Sequence, residues 1–194
     1  MITVGIFHGL LNMLDRLGVA QADIDWAESR EIPTTATVFA SETIFVICNS
    51  GMKNTVARRI YDRIIPALQA GLSSSSVFGH KGKTAAIDRI WNERERFYAE
   101  YLGAADKVAY CETIPFIGAI TKFHLAKNFG AQVAKPDVHL KRLADREQCT
   151  SQELCERLSR ETGYKVSTVD TLLWRACALG VLNSRTGELI QERL

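Results

Sequence analysis

The sequence predicts an all-α protein of about nine or ten helices arranged in two lobes. Apolar residues recur at helical spacing along most of the chain, and no stretch alternates with period two for long enough to demand a sheet. Helix start and stop residues also stand where that spacing begins and ends. The 194 residues suffice for one compact domain or two small lobes with a substantial core.

The elements follow in order. "IFHGLLNMLDRLG" gathers apolar residues on one face and ends at Gly18, a position suited to a helix C-terminus. "TATVFASETIFVIC" becomes apolar all round from Ile44 to Cys48, which predicts a helix buried on most sides. Val56, Ile60, Ile64 and Leu68 recur every four residues, giving an amphipathic helix that Pro66 should kink or stop near its end. "LSSSSVFGHKG" is a loop. From Thr84, the series Ile87, Ile90, Trp91, Phe97, Tyr98, Tyr101 predicts one long helix with a charged outer face. A helix running to about Glu112, a tight turn from Ile114 to Gly118 and a second helix from Ala119 to about Phe129, capped by Gly130, form a hairpin at 107–130. In "VAKPDVHLKRLA", Pro136 is placed at the first helical position and Asp137 in the first turn, where a carboxylate can satisfy the helix dipole. Thr150 with Glu153 matches a capping box closed by Gly163, and Ser167 with Asp170 repeats the arrangement before Gly180. The expected organisation is a single domain, 1–194, with lobes roughly 35–130 and 131–194 and the N-terminal helices packed back beside the C-terminal ones.

A net charge of +2 creates no whole-molecule field for a polyanion, so any such argument must rest on local clustering. The five cysteines, Cys48, Cys111, Cys149, Cys155 and Cys177, form no CxxC pair. Cys48, Cys111 and Cys177 lie in apolar helical context and are expected as buried thiols. The spacing of Cys149, Cys155 and Cys177 offers no fourth ligand, so an iron–sulfur cluster is rejected. No apolar run reaches the length of a membrane span, and the start, "MITVGIFHGLL", has no basic leader region. The expectation is a cytoplasmic or nucleoid-associated protein, or a nuclear one if the source has a nucleus, with no metal and no membrane partner.

One stretch stands out. "IPFIGAITKFHLAKNFGAQVAKPDVHLKRL", residues 114–143, carries Lys122, Lys127, Lys135, Lys141 and Arg142 but one acid, Asp137. An apolar turn ending in glycine can present backbone N–H groups at the start of the following helix, and such groups bind phosphate. An ordinary αα-hairpin and a helix-starting aspartate are the plain alternatives.

On these residues the chain resembles the helix-hairpin-helix DNA glycosylases: "IPFIG" as the hairpin, "HLAKNFG" as the helix behind it, "KPDVHLKRL" as the aspartate loop. "FVICNSGMKNTVARRI", residues 45–60, resembles the segment of 8-oxoguanine glycosylases that pushes a polar loop into DNA. "GHKGKTAAI", residues 79–87, resembles the basic turn before the next helix, and "LCERLSRETGYKVSTVDTLLWRACALG" the closing helices. The likeness covers about residues 35–182. It implies the two-lobed all-α fold of that superfamily (HhH-GPD), a double-stranded DNA partner, a monomer, and no cofactor beyond a monovalent cation at the hairpin. Two positions depart from the pattern. Phe116 stands where the hairpin usually carries glycine, and Ile120 stands where bifunctional members carry their lysine. Lys122 lies about 200° further round the helix, so the lysine role does not transfer.

The chemistry implied is base excision. A base inside a duplex must be flipped out, and side chains fill the vacated stack. Asn49, Ser50, Gly51, Met52, Lys53 and Asn54 suit that task. The resemblance assigns DNA contact also to His80, Lys81, Lys83, Pro115, Phe116, Ile117, Gly118, Ile120, Thr121, Lys135 and His139. Asp137 is the candidate catalytic carboxylate, stabilising positive charge on the sugar or activating water. A monofunctional glycosylase acting on a damaged or modified base, an oxidised purine among the candidates, is the leading expectation. A non-catalytic hairpin DNA-binding protein, a bifunctional enzyme using a displaced lysine, and a helical interaction protein unrelated to DNA are the alternatives. Trp26, Trp91 and Trp174 are read as core residues, one of which could stack on an extruded base.

Overall fold

A computed structural model describes residues 1–190. Among them are eleven α-helices, one short 3₁₀ turn and no strand, apart from an isolated bridge between Leu182 and Leu189. The protein is all-α, with more helices than the sequence predicted. The helices are α1 (Val4–Arg16), α2 (Ala20–Glu28), α3 (Ala36–Asn49), α4 (Asn54–Gln69), α5 (Lys81–Asn92), α6 (Arg94–Gly103), α7 (Lys107–Thr113), α8 (Thr121–Asn128), α9 (Val138–Arg146), α10 (Ser151–Thr162) and α11 (Val166–Ala178).

The extra count has a local cause. The expected long helix after Thr84 is two helices, broken at Glu93, whose φ of −101° and ψ of 18° leave the helical region. Glu93 pairs there with Arg89 on one side and Arg96 on the other. Pro66 does not break α4; it sits in the last turn, three residues before the helix ends at Gln69. "LSSSSVFGHKG" is largely irregular as expected, with a 3₁₀ turn at Ser74–Ser76 held by Asp88, which accepts from the Ser74 amide at 2.8 Å.

The chain divides into two compact units, Ile32–Phe129 and Met1–Glu31 together with Gly130–Leu194, the latter described to residue 190. In the first, α3 is the centre and packs against α4, α5, α6 and α8. This explains its apolar circumference: Phe39, Ala40, Ile44, Val46, Ile47 and Cys48 are fully buried. Phe39, Tyr101 and Phe129 form an aromatic cluster with ring centroids 5.0–5.5 Å apart. In the second unit, α11 is central and meets α2, α9, α10 and α1. Phe7, Leu10, Leu14, Leu140, Leu143, Leu154, Leu158, Leu172 and Leu173 share its core. Arg175 clamps Asp23 with two nitrogens, at 2.7 and 2.9 Å, which ties α11 to α2. Gly130 allows its own chain to pass close to residue 31: φ is +83°, and a Cβ would stand 2.8 Å from the Glu31 Cα.

The tryptophans are not fully buried, although Trp174 packs against the core of the second unit. All three are half-buried, and each carries an arginine over its ring: Arg30 on Trp26, Arg94 on Trp91, Arg175 on Trp174, at 4.9–5.2 Å.

Candidate functional site

The hairpin consists of α7, the turn Ile114–Ile120 and α8. Ile114 and Ile117 are buried and anchor the turn from below, while Phe116 and Ile120 are 42% and 46% exposed at its tip. Phe116 has φ = +67°, the left-handed region where glycine is at home. A phenylalanine therefore holds the backbone shape that a glycine would supply without strain.

The turn's donors are distributed differently from the sequence expectation. The Gly118 amide is taken by the Thr121 hydroxyl at 2.7 Å, so Gly118 and Thr121 satisfy each other. The first bond of α8 runs from the Lys122 amide to the Gly118 carbonyl at 2.9 Å. The helix's open N-terminal donors are then the amides of Ala119, Ile120 and Thr121, the first two in exposed residues and the third in a half-buried one. Lys122 is engaged across the hairpin with Glu112 and lies over the Phe123 ring. Ile120, the position where the sequence pattern is compared for a lysine, is exposed and carries no amine.

The basic turn at the start of α5 adjoins this tip. His80 caps α5 by accepting the Lys83 amide at Nδ1 (3.2 Å), and its ring meets Phe116 edge-on at 5.9 Å. The Phe116 ring lies over Gly82, where a Cβ would stand 3.4 Å from Phe116 Cε2. His80 and Lys81 are exposed. Lys83 is not: it is 3% exposed, and its Nζ donates to the Cys48 carbonyl at 3.0 Å and the Ser50 carbonyl at 2.6 Å. The expected surface contact at Lys83 is thus corrected to an internal one. Burial pushes the Lys83 pKa below its ordinary value, with the nearby Cys48 acting weakly in the other direction.

The polar loop proposed for insertion joins α3 to α4. Asn49 ends α3, Ser50 is its C-cap, Gly51 takes φ = +70°, and Asn54 opens α4. Gly51, Lys53 and Asn54 are exposed; Asn49, Ser50 and Met52 are half-buried. The loop 49–54, the turn 80–83 and the hairpin tip all belong to the unit Ile32–Phe129.

Asp137 belongs to the other unit and differs from its predicted place by two positions: α9 begins at Val138, so Pro136 precedes the helix and is not its first residue. Asp137 is the N-cap of α9 rather than a first-turn residue, with φ = −76° and ψ = 177°. Its Oδ1 accepts the amides of His139 (2.9 Å) and Leu140 (3.1 Å), and its Oδ2 has no hydrogen-bond partner among the described residues. His139 meets the Ser184 hydroxyl through Nδ1 at 3.2 Å. The approach to Asp137 is held by a residue the sequence had assigned elsewhere. Asp170, 1% exposed, does not cap α11; it accepts the Lys135 amide at 2.9 Å. Ser167 likewise sits inside α11, which begins at Val166. A buried acid 35 residues along the chain from its target leaves no local trace in the sequence.

The basic character of 114–143 is reduced in three dimensions. Lys122 pairs with Glu112, Lys141 pairs with Asp145 at 3.0 Å, and Lys127 is buried. A concavity of about 270 Å³ in the second unit is lined by Met13, Leu17, Val19, Leu179, Gly180, Val181 and Ile190, an apolar set without Asp137. Cys48, Cys111 and Cys177 are buried, and no cluster of metal-ligating side chains occurs among the described residues. No helix among them is long and apolar enough to cross a membrane. Comparison with known protein families, curated proteins and solved structures finds no match to this chain.

Proposed function

We propose that the chain is a monofunctional DNA N-glycosylase of the helix-hairpin-helix type, acting on a damaged or modified base, with an oxidised purine as the first candidate. The observation that supports it most is Phe116. The hairpin turn keeps the left-handed backbone suited to the glycine of that motif although glycine is absent. Of the two departures from the pattern, the one at Phe116 is therefore compatible with a glycine-type turn.

In this reading the amides of Ala119, Ile120 and Thr121, with His80 and Lys81 beside them, hold backbone phosphates. The loop Asn49–Asn54 fills the gap left by an extruded nucleotide. Asp137 uses one oxygen to start α9 and offers the other to the sugar. As the C1′–N bond breaks, its electron pair leaves with the base, which takes up a proton; water adds to C1′ and loses one. The carboxylate stabilises the intervening cation or accepts the water's proton. With Ile120 at the amine position, no Schiff base forms there, and the abasic strand stays intact.

A second reading has its own support. Asp137 as N-cap already has a structural role, and Lys122 and Lys141 have partners within the protein. A hairpin protein that binds duplex DNA without cutting it would look the same in these respects.

Duplexes carrying single lesions, scored for base release with and without alkali, separate the two. The informative variant is Asp137→Asn, because asparagine caps helices about as well as aspartate while Ala costs about 1 kcal/mol. The expected result is alkali-dependent strand breakage with the wild type, and loss of base release in Asp137→Asn with duplex binding and thermal midpoint retained. Base release that survives Asp137→Asn overturns the catalytic assignment. Salt-dependent duplex binding with no lesion released favours the second reading. A borohydride-trapped adduct dependent on Lys122 or Lys127 overturns the monofunctional assignment.

A further inference from the structure

Lys83 is the one cation of the basic turn that is removed from solvent, and its partners are informative. Cys48 lies in the last turn of α3, and Ser50 is the first residue of the loop to α4. The last carbonyls of a helix lack intrahelical donors and carry partial negative charge, so an ammonium buried against them is favourably placed. The same Nζ lies 5.9 Å from the Phe116 ring centroid, and Phe116 covers the backbone of Gly82 next to it. One side chain thus meets the loop 49–54, the α5 start and the hairpin tip, all inside one compact unit.

We propose that Lys83 is a positioning residue that sets the conformation of the Asn49–Asn54 loop beside the hairpin, and so governs base extrusion rather than phosphate binding. This rests on the DNA reading given above. The loop's other backbone bonds lie at its two ends: Ser50 donates to Val46 at 3.0 Å and to Ile47 at 3.3 Å, Met52 donates to Asn49 at 3.1 Å, and the Lys53 carbonyl accepts from Val56 and Ala57 at 3.0 Å, while Gly51 has open space around it. Without the ammonium, the Ser50 carbonyl is free to turn to water, and the loop loses its fixed exit from α3. Binding at low salt depends on exposed cations and amides, so it is little affected. Extrusion requires the loop to enter the stack in one conformation, so it is strongly affected.

The test compares Lys83→Met, a near-isostere without donors, with Lys81→Met as an exposed control. Hydrogen exchange, which needs no DNA, is expected to show the Ser50 and Met52 amides opening about tenfold faster or more in Lys83→Met, as loss of a charged hydrogen bond implies. On duplexes with 2-aminopurine beside a lesion, the unstacking signal is expected to fall about tenfold while low-salt binding changes less than about threefold. Lys81→Met, which removes a phosphate contact, is expected to lower the salt slope of binding by about one and to weaken unstacking only in proportion to the duplex bound. Should Lys83→Met not fold, Gly51→Ala strains the left-handed turn of the same loop with Lys83 in place, and is expected to separate binding from unstacking in the same way. Unchanged exchange, or unstacking at the wild-type level in these variants, overturns the positioning role. A wild type that neither binds nor unstacks any duplex sinks the DNA reading instead, and exchange still decides whether Lys83 orders the loop.

Discussion

Phe116 occupies a backbone region that costs a non-glycine residue about 1–2 kcal/mol. Strain of this kind persists where the surroundings over-determine it, and here they do: Ile114 and Ile117 are buried on either side, and the ring rests on His80 and Gly82. This reverses the usual order of two substitutions. Phe116→Ala loses the ring contacts and keeps the strain, whereas Phe116→Gly loses the same contacts and relieves it. The glycine variant is expected to be more stable than the alanine variant by about 1 kcal/mol in urea unfolding. Equal stabilities would mean that the turn relaxes out of the left-handed region. The identity of Phe116 was plain in the sequence, and its departure from glycine was noted there; its φ was not, because a phenylalanine in isolation avoids that region. Lys83 shows the same limit. Three residues from an exposed histidine in a glycine-rich turn, it reads as a solvated cation, and only packing reveals the carbonyls that hold it.

At the scale of elements, capping chemistry divides into a case that is local and one that is not. Thr150 and Glu153 form the box their spacing predicts: Thr150 Oγ1 accepts the Glu153 amide at 3.1 Å, and Glu153 accepts the Thr150 amide at 2.8 Å. Both bonds lie on the surface and answer only to neighbours four residues away or fewer, so sequence spacing decides them. Thr150→Ala is expected to cost about 1 kcal/mol, seen as a fall of about 2–4 °C in thermal midpoint with the helical signal retained. Ser167 and Asp170 have comparable spacing and a different fate. Both are buried in α11, Ser167 near Gln132 and Asp170 on the Lys135 amide, because α11 is the central helix of its unit and its polar residues serve the loop before α9. The break at Glu93 was invisible for another reason. Ile87, Ile90, Phe97 and Tyr101 stay in phase across it, and one residue leaving helical geometry does not disturb a pattern read every three or four positions.

The whole molecule carries buried thiols that link its stability to pH. Burial raises Cys48 to about 11 and Cys111 and Cys177 to about 12, against an ordinary 9.0. Lys83 lowers Cys48 somewhat, while Asp106 and Asp137 add to the rise at Cys111 and Cys177. The unfolded chain therefore releases these protons first as pH climbs past 9.0, and the stability they contribute is full below that point and lost toward about 12. Buried Tyr101 and half-buried Tyr110, also raised, act in the same sense at still higher pH. Lys83, whose pKa is depressed, acts in the opposite sense, since there the unfolded chain binds more protons. Three thiols outweigh one amine, so the urea midpoint of the reduced protein is expected to fall between about pH 8.5 and about pH 10.5. A midpoint that is flat or rising over that span would show that the thiols reach solvent in the native state.

Helical class, the apolar face of α1, the burial of α3 on most sides from Ile44 to Cys48 and the Thr150 cap were all legible in the order of residues, because periodicity and short-range hydrogen bonding are properties of near neighbours. The shape of the hairpin turn, the inward turn of Lys83, the service of Asp170 to the loop before Asp137, and the pairing of Lys122 and Lys141 were decided only by the tertiary structure. Each depends on a backbone or side-chain partner brought near by packing, and desolvation makes a buried charge take whatever partner that packing supplies.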